Sequence, residues 1–240
     1  MTGTLSVVIP AYNEARFIGG LLERVLAVDL TALGLDKEVI VIDDGSKDET
    51  ASIVRRYPVI LASKPNGGKG SAVREGIRRA TGDYLMIQDA DLEYDPNDYV
   101  PMIRALEAPG VDAVYGSRYM TRADGGWWAN LAGGKRQGQS WPAYLGGRSL
   151  SLVAWVWTGR LLSDTVTALK LFRTPLIQSL PLVTSGFELD HEISARLLAR
   201  GKRIVEVPIS YSPRSKAEGK KIGLKDWWVG GATFYRYRKG

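Results

Sequence analysis

Two aspartates at the end of one apolar run have the types and spacing expected of a metal-binding or catalytic pair. Asp89 and Asp91 follow the run Tyr84-Leu-Met-Ile-Gln88, which predicts a strand, and residues spaced i, i+2 on an extended chain point to the same side. Two neighbouring carboxylates repel each other unless a cation lies between them, and oxygen ligands suit a hard divalent cation such as Mg²⁺ or Mn²⁺. Such a cation would in turn bind a diphosphate. The same spacing on a solvated loop carries no function, so the interpretation depends on the elements around it.

The first half of the chain alternates predicted strands with predicted helices. Strands are predicted at 5–9, 38–42, 59–61, 84–88 and 112–115. Helices of about a dozen residues between them indicate βαβ units and a parallel sheet, in which ligands bind beyond the carboxyl ends of the strands. Five polar segments are expected to meet at that edge: Pro10 to Glu14, Asp43 to Ser46, the loop around Lys69, Asp89 to Asp91, and Ser117 with Arg118.

Length and composition allow one large domain or two small ones, and the charge distribution indicates an anionic partner. The chain has 240 residues, 45% of them hydrophobic, and no linker divides it. Cysteine is absent, which excludes disulfides and thiolate metal sites. The net charge is +6, and residues 200–240 hold 11 Lys and Arg against 3 acids. That basic end favours a nucleotide diphosphate, anionic lipid headgroups or nucleic acid, although it also fits a solvated tail.

Neither a signal peptide nor a membrane span is expected. The first residues lack a basic and then apolar leader pattern, and no run of about 18 apolar residues is present. The longest candidate, residues 150–157, is too short. Any membrane contact is therefore expected to be peripheral.

Three further sequence features narrow the possible classes of binding site. No G-x-G-x-x-G follows the first strand, which argues against a dinucleotide-binding enzyme. The loop Gly67-Gly-Lys-Gly70 lacks the Walker spacing and suits either a tight turn or a set of amides facing a phosphate together with Lys69. The single histidine, His191, lies among acids in a predicted first helical turn, where anions are stabilised, so a structural role is favoured.

Several of these segments occur together in a known family. Pro10-Ala-Tyr-Asn-Glu14, Asp43-Asp-Gly-Ser46, Asn66-x-Gly-Lys-Gly70, Asp89-Ala-Asp91 and Gly116-Ser-Arg118 closely resemble the inverting family 2 glycosyltransferases of GT-A fold. Later segments, at 163–173, 187–188 and 206–220, resemble the dolichyl- and polyprenyl-phosphate sugar synthases. The resemblance covers essentially the whole chain. It implies one α/β domain of GT-A fold over 1–240, with a nucleotide-sugar-binding half at 1–118, an acceptor-binding half at 119–240 and C-terminal interfacial helices.

The resemblance assigns residues to the donor and to the metal. The residues implied to bind the nucleotide are Pro10, Tyr12, Glu14 and Asp44, to which Lys69 and Asp89 are added as neighbours of the phosphates. A divalent cation, Mg²⁺ or Mn²⁺, is implied on Asp89 and Asp91, with Glu93 as a third ligand where relatives often carry Gln.

The resemblance also implies contacts with two phosphate groups. Arg214 and Lys220 would neutralise the donor diphosphate, with Lys221 as the alternative to Lys220. The residues expected to receive an acceptor phosphate are Arg118, Arg148, Lys170 and Arg173. Asp91 is expected to be catalytic through the metal, and Asp164 to orient or deprotonate an acceptor hydroxyl.

The activity implied is metal-dependent, inverting transfer of a hexose from a nucleotide sugar, of GDP-mannose or UDP-glucose type, to polyprenyl or dolichyl phosphate. Two alternatives remain open. One is transfer by the same fold to a soluble hydroxyl acceptor, and the other is a non-catalytic nucleotide-sugar-binding scaffold for a membrane-embedded partner chain. Nucleic-acid binding is not expected, because the basic end contains no known nucleic-acid module.

Aromatic and basic residues occur together in two segments, as they do in membrane-interface helices. Trp155 and Trp157 lie in the first segment and Trp227 and Trp228 in the second. Peripheral attachment to the cytoplasmic face of a membrane is expected through residues 120–160 and 220–240. For Trp155 and Trp157, ordinary core packing is the alternative.

Overall fold

Aliphatic and β-branched runs form the strands of one mixed sheet. The structure is a computed structural model and describes residues 3–120, 141–213 and 224–239. The strands in this part of the chain are β1 Gly3–Ala11, β2 Leu35–Asp43, β3 Ile60–Ser63, β4 Tyr84–Ile87, β5 Ala113–Ser117, β6 Lys170–Arg173 and β7 Ile204–Pro208. Their order across the sheet is β3-β2-β1-β4-β6-β5-β7.

The strand directions confirm the predicted, mostly parallel sheet. β1 runs parallel to β2 and β4, β2 to β3, and β5 to β7. Only β6 is antiparallel to its neighbours, β4 and β5. The sequence analysis predicts no strand at β6, which its pairing with β4 and β5 identifies. Strands from both predicted halves, 1–118 and 119–240, therefore share one sheet.

Helices cover both faces of the sheet. In the described residues they are α1 Ile18–Ala27, α2 Thr50–Val54, α3 Lys69–Arg79, α4 Tyr99–Leu106, α5 Trp141–Thr158, α6 Thr174–Gln178, α7 Leu189–Ala199 and α8 Leu224–Tyr237. Alternate residues of a strand point to opposite faces. Accordingly, Val7 and Ile9 pack in the core with α1 and α4, whereas Val8 packs in the core with α3 and α7.

The two aromatic-rich helices lie outside these layers. Ala154 of α5, Ala195 of α7 and Phe234 of α8 form a small separate core. The indole N–H of Trp227 also donates a hydrogen bond to the hydroxyl of Ser149 at 2.8 Å, which ties α8 to α5. The predicted C-terminal helix is thus present and packs on α5 and α7. No helix in the described ranges is both long and apolar enough to cross a bilayer.

Close packing of α3 on β1 requires a glycine. A Cβ on Gly76, in the middle of α3, would overlap Cγ1 of Val8. We predict that Gly76→Ala lowers the unfolding free energy by about 1–3 kcal/mol through overpacking. Gly20→Ala, in α1, is the matched control because its new Cβ would lie 3.7 Å from Leu92. Urea denaturation measures the unfolding free energy of each variant. Equal stability of the two variants would contradict the prediction.

Candidate active site

The carboxyl ends of the parallel strands bring most of the predicted site residues to one edge. Tyr12 and Glu14 follow β1, Asp44 follows β2, Asp89 follows β4 and Arg118 follows β5. This arrangement arises because parallel strands end on the same side of a sheet.

β6 runs the other way, and its two predicted site residues therefore separate. Lys170 pairs with Ile87 at the carboxyl end of β4, whereas Arg173 pairs with Tyr84 at its amino end. Three residues of extended chain place Arg173 about 10 Å further along the strand. There its guanidinium lies 5.8 Å from the ring centre of Tyr84. The structure does not bring Arg173 to the site, so the prediction that it receives the acceptor phosphate is not supported.

Asp44 holds the glycine-rich loop in place. Its buried carboxylate accepts hydrogen bonds from the backbone amides of Gly67 at 3.0 Å and Gly68 at 2.8 Å, and it pairs with Lys64. Gly68 has a φ of +91°, and a Cβ there would lie 2.5 Å from the carbonyl oxygen of Ser185. The loop is thus a tight turn whose amides face Asp44. The alternative, a cradle of Gly67 and Gly68 amides for phosphate, does not fit this geometry.

The same loop delivers Lys69 to the predicted metal residues. Lys69 opens α3, and its Nζ lies 2.7 Å from Oδ1 of Asp89 and 3.5 Å from Oδ2 of Asp190. Burial disfavours the charged lysine, but the two carboxylates outweigh burial and raise the pKa of Lys69 above its usual value. Lys69 therefore carries a full positive charge beside Asp89.

Asp190 connects Lys69 to a second lysine in the interior. Nζ of Lys170 contacts Oδ1 of Asp190 at 2.9 Å, donates to the carbonyl oxygen of Thr167 and lies 5.0 Å from the ring centre of Tyr115. Burial lowers the pKa of Lys170, while Asp190 counteracts this effect. Because Lys170 is completely buried in these contacts, the prediction that it receives the acceptor phosphate is not supported. It acts instead as the internal counter-ion of Asp190.

The predicted metal ligands, Asp89, Asp91 and Glu93, follow β4 in the chain. Asp89 and Asp91 both lie just beyond β4, and Oδ1 of Asp91 accepts a 3.2 Å hydrogen bond from the amide of Glu93. Oε2 of Glu93 accepts a 2.8 Å hydrogen bond from the hydroxyl of Tyr211. Among the described residues, no three His, Cys, Asp or Glu side chains are grouped to hold a metal. By the chemistry of their oxygens, Asp89 and Asp91 suit a hard cation, whereas one carboxylate oxygen of Glu93 already accepts from Tyr211.

Arg118 and Asp164 form a buried, two-point ion pair. Nε of Arg118 donates to Oδ2 of Asp164 at 2.7 Å and Nη2 donates to Oδ1 at 2.8 Å. Asp164 is completely buried and also accepts hydrogen bonds from the amides of Arg118 and Val166. A carboxylate so enclosed holds a guanidinium in place. The predicted role of Asp164 as a base for an acceptor hydroxyl is therefore not supported.

Arg148 lies near Arg118. The guanidinium carbons of Arg148 and Arg118 lie 5.5 Å and 5.7 Å from the ring centre of Tyr119, and Arg118 also lies 5.2 Å from the ring centre of Tyr211. The structure thus brings together two of the four arginines and lysines predicted to receive the acceptor phosphate. Tyrosine rings hold both of these guanidinium groups.

Glu206, on β7, is a supporting residue to which sequence reasoning assigned no role. Its carboxylate accepts hydrogen bonds from the amide of Ser163 at 2.7 Å and from the amide of Asp164 at 2.9 Å. Burial raises the pKa of Glu206 to about 7, although these hydrogen bonds favour the charged form. Glu206 therefore fixes the backbone that carries Asp164. The only sequence signal was an acid inside the apolar run 204–209.

The remaining predicted donor residues lie at the end of β1. Pro10 is buried and Tyr12 is partly exposed, and the backbone amide of Glu14 donates to the hydroxyl of Thr50 at 2.9 Å. Asn13, between them, has a φ of +55°, which turns the chain sharply after the strand. Arg214 and Lys220, predicted for the donor diphosphate, lie outside the described residues.

His191 has the structural role that its sequence context favours. It is buried 5.3 Å from the ring centre of Phe234, and burial lowers its pKa to about 4. A neutral histidine packed between α7 and α8 is a core residue. Its neighbour Asp190 is the functional candidate that sequence reasoning missed, because acids in a first helical turn are already explained by the favourable field of the helix N-terminus.

Two helices present aromatic and aliphatic side chains to the outside. On α5, Trp155 is 49% exposed and Trp157 41%, and on α8, Trp228 is 71% exposed. Trp157 and Tyr235 lie against each other with ring centres 4.9 Å apart, and Arg238 covers both rings. This α5/α8 surface is too exposed for core packing, so the alternative explanation of Trp155 and Trp157 is excluded.

The sequence and the fold both have recognisable relatives. The sequence model of the family described as Glycosyl transferase family 2 matches residues 6–155, more than half of the chain. Dolichol-phosphate mannosyltransferase of Pyrococcus furiosus is 31% identical over 233 residues, which cover 91% of this chain and 59% of that protein. Undecaprenyl-phosphate 4-deoxy-4-formamido-L-arabinose transferase of Edwardsiella ictaluri is 29% identical. The match covers 90% of this chain and 62% of the length of that protein. The chain thus spans about three fifths of these two relatives.

Solved structures show the same fold at lower identity. Glucosyl-3-phosphoglycerate synthase of M. tuberculosis superposes with a TM-score of 0.71 at 19% identity, over 98% of this chain and 80% of that chain. That enzyme was also crystallised with Mn²⁺, UDP and glucosyl-3-phosphoglycerate, and this complex superposes with a TM-score of 0.68 at 20% identity. The predicted GT-A architecture is therefore confirmed.

The raised pKa of Glu206 predicts a pH-dependent stability. The folded protein binds the Glu206 proton more tightly than the unfolded chain, so this stabilisation is complete below pH 4.5 and is lost as the pH rises through about 7. Glu206→Gln should remove the fall in unfolding free energy that accompanies deprotonation of Glu206. Unfolding free energies between pH 4 and 8 measure it, with Glu107→Gln, at an exposed glutamate, as the control. Parallel profiles for wild type and Glu206→Gln would contradict this assignment.

Proposed function

This chain belongs to glycosyltransferase family 2, and we propose that it transfers a hexose from a nucleotide sugar to polyprenyl or dolichyl phosphate. The proposal specifies a GDP-mannose or UDP-glucose type of donor, dependence on Mg²⁺ or Mn²⁺, and inversion at the anomeric carbon. Two relatives named for dolichol-phosphate and undecaprenyl-phosphate substrates support the class of acceptor.

The observation that carries the proposal is the placement of Arg118 at the same edge as the aspartate pair. The charges of both sites act on the buried hydroxyl of Tyr94: burial raises its pKa, Arg118 acts against this, and Asp89 and Asp164 add to it. An anionic acceptor held at Arg118 would therefore lie beside a donor diphosphate held at Asp89 and Asp91.

In the proposed reaction, a phosphate oxygen of the acceptor attacks the anomeric carbon of the sugar. The bond from that carbon to the donor phosphate breaks, and the nucleoside diphosphate leaves with the electron pair. A single displacement of this kind inverts the anomeric centre. The acceptor oxygen is already anionic near neutral pH, so the reaction needs no carboxylate base, in agreement with the enclosure of Asp164 by Arg118.

The residues of the chain contribute charge and position. Asp89 and Asp91 would hold the divalent cation, which stabilises the charge that develops on the departing diphosphate. Arg118, with Arg148 beside it, would bind the acceptor phosphate and reduce its repulsion by the donor. Asp164 orients Arg118, and Glu206 supports Asp164. Arg214 and Lys220 stay predicted ligands of the donor diphosphate.

The α5/α8 surface suits a lipid acceptor. Arg238 lies 5.8 Å from the ring centre of Trp157, and Arg236 and Lys239 are its neighbours in the sequence. A surface that combines exposed tryptophans with basic residues suits the interface of an anionic bilayer. We include peripheral membrane association in the proposal, with or without a membrane-embedded partner chain.

A lipid-extraction assay tests the reaction and the role of Arg118 together. Wild type with Mn²⁺, radiolabelled nucleotide sugars and a short polyprenyl phosphate should produce label that extracts into organic solvent, and Asp91→Ala should abolish it. We expect Arg118→Ala to lower kcat/KM for the lipid by about 10²–10³, because it removes a preorganised charge. Arg173→Ala, at the opposite edge, is the matched control and should retain activity.

Two results would contradict this part of the proposal. Equal losses in Arg118→Ala and Arg173→Ala would show that Arg118 has no special contact with the acceptor. A wild type that binds a donor but labels no lipid would favour the hydroxyl-acceptor enzyme or the non-catalytic scaffold.

Membrane association is tested by flotation with vesicles that contain anionic lipid. Replacing Trp155 and Trp228 by Ser should move the protein from the vesicle fraction to the free fraction, because both indoles lie on the exposed surface. Ile60→Ser is the control, since Ile60 is 46% exposed on β3, an edge strand of the sheet that does not belong to the α5/α8 surface. Unchanged flotation of the double variant, or equal loss in Ile60→Ser, would refute a specific α5/α8 contact.

A further inference from the structure

Four side chains of alternating charge run from the candidate metal site into the interior. Nζ of Lys69 lies 2.7 Å from Oδ1 of Asp89 and 3.5 Å from Oδ2 of Asp190. On its other side, Asp190 contacts Nζ of Lys170 at 2.9 Å. Lys69 thus lies between two carboxylates, one predicted to hold a cation and one buried among protein groups.

The backbone under Lys69 is held firmly, and its charge lies at the end of a long side chain. Asp44 binds the amide of Gly68 just before it, and a Cβ on Gly70, just after it, would lie 2.7 Å from the carbonyl oxygen of Gly186. Lys69 has a flexible four-carbon stem with a compact ammonium at its tip. Movement of the ammonium between Asp89 and Asp190 therefore requires rotation of the side chain alone.

The ammonium and a divalent cation compete for the same carboxylate. At 2.7 Å the ammonium occupies the space next to Oδ1 of Asp89, and two cations at contact distance of one oxygen repel each other. Asp190 provides the nearest alternative partner at 3.5 Å. Lys170 lowers the pKa of Asp190 against the effect of burial, so Asp190 is charged and able to accept a second lysine.

We propose that Lys69 is an exchangeable counter-ion of Asp89, which neutralises that carboxylate in the metal-free protein and moves to Asp190 when the divalent cation binds. The proposal rests on the metal dependence proposed above and adds a function for Lys69 and Asp190. Both are positioning residues that set the affinity for the cation. Lys69 also restrains the repulsion between Asp89 and Asp91 before the donor arrives.

The exchange predicts opposite effects from two substitutions. Lys69→Met removes the competitor and should tighten Mn²⁺ binding about tenfold, within the usual range of coupling between two sites. Asp190→Asn removes the alternative partner, keeps Lys69 on Asp89 and should weaken Mn²⁺ binding to a similar extent. In the Lys69→Met background, Asp190→Asn should have no further effect on Mn²⁺ binding, because no lysine is left to move.

Electron paramagnetic resonance of free Mn²⁺ measures these affinities on the full chain without donor, so the readout does not depend on turnover. Lys69→Gln is a second variant that keeps a polar side chain if the methionine impairs folding, and circular dichroism checks both. Lys47→Met, at an exposed lysine beyond β2, controls for the loss of one positive charge and should bind Mn²⁺ as wild type does.

The outcomes separate this inference from the proposed function. Mn²⁺ binding that neither Lys69 variant tightens overturns the exchange and leaves the metal-dependent function intact. An equal effect of Asp190→Asn with and without Lys69 also overturns it, because a purely structural role of Asp190 predicts that result. Absence of Mn²⁺ binding in every variant, even with UDP or GDP present, refutes the metal dependence itself.

Discussion

Neutralisation of charge between different elements is the constraint on which the site depends. Asp44 after β2 is neutralised by Lys64, Asp89 after β4 by Lys69, and Arg118 after β5 by Asp164. Removing one partner of a buried pair such as Arg118–Asp164 typically costs about 3–5 kcal/mol, because the other charge is left without compensation. The same contacts therefore hold the ends of the strands together and set the geometry of the site.

The Arg118–Asp164 pair shows how this constraint serves chemistry. A guanidinium held at two points by a buried carboxylate is positioned before any ligand arrives, so little reorganisation is needed when an anion binds. Glu206 in turn holds Asp164 in place, since its carboxylate accepts a hydrogen bond from the Asp164 backbone amide. An ion pair of this kind contributes a fixed positive charge rather than a proton acceptor.

Sequence reasoning located residues whose position follows from strand direction, but it could not locate those whose position depends on distant partners. Asp89, Asp91 and Arg118 lie where the parallel pattern placed them. Lys170 and Arg173 share a short segment and a charge, yet an antiparallel strand buries one and moves the other to the opposite edge. The glycine-rich loop was open to two interpretations because the decisive group, the Asp44 carboxylate, lies more than twenty residues away in the sequence.

The amino-acid sequence by itself determined the alternation of strands and helices, the edge at which polar segments meet, and the family. These properties depend on local periodicity and on motif spacing, which are visible in one dimension. Only the tertiary structure decided that Asp190 joins two lysines, that Asp164 serves Arg118, and that the tryptophans of α5 and α8 face outward. Each of these depends on which distant side chain fills the neighbouring space, and long-range packing alone determines that.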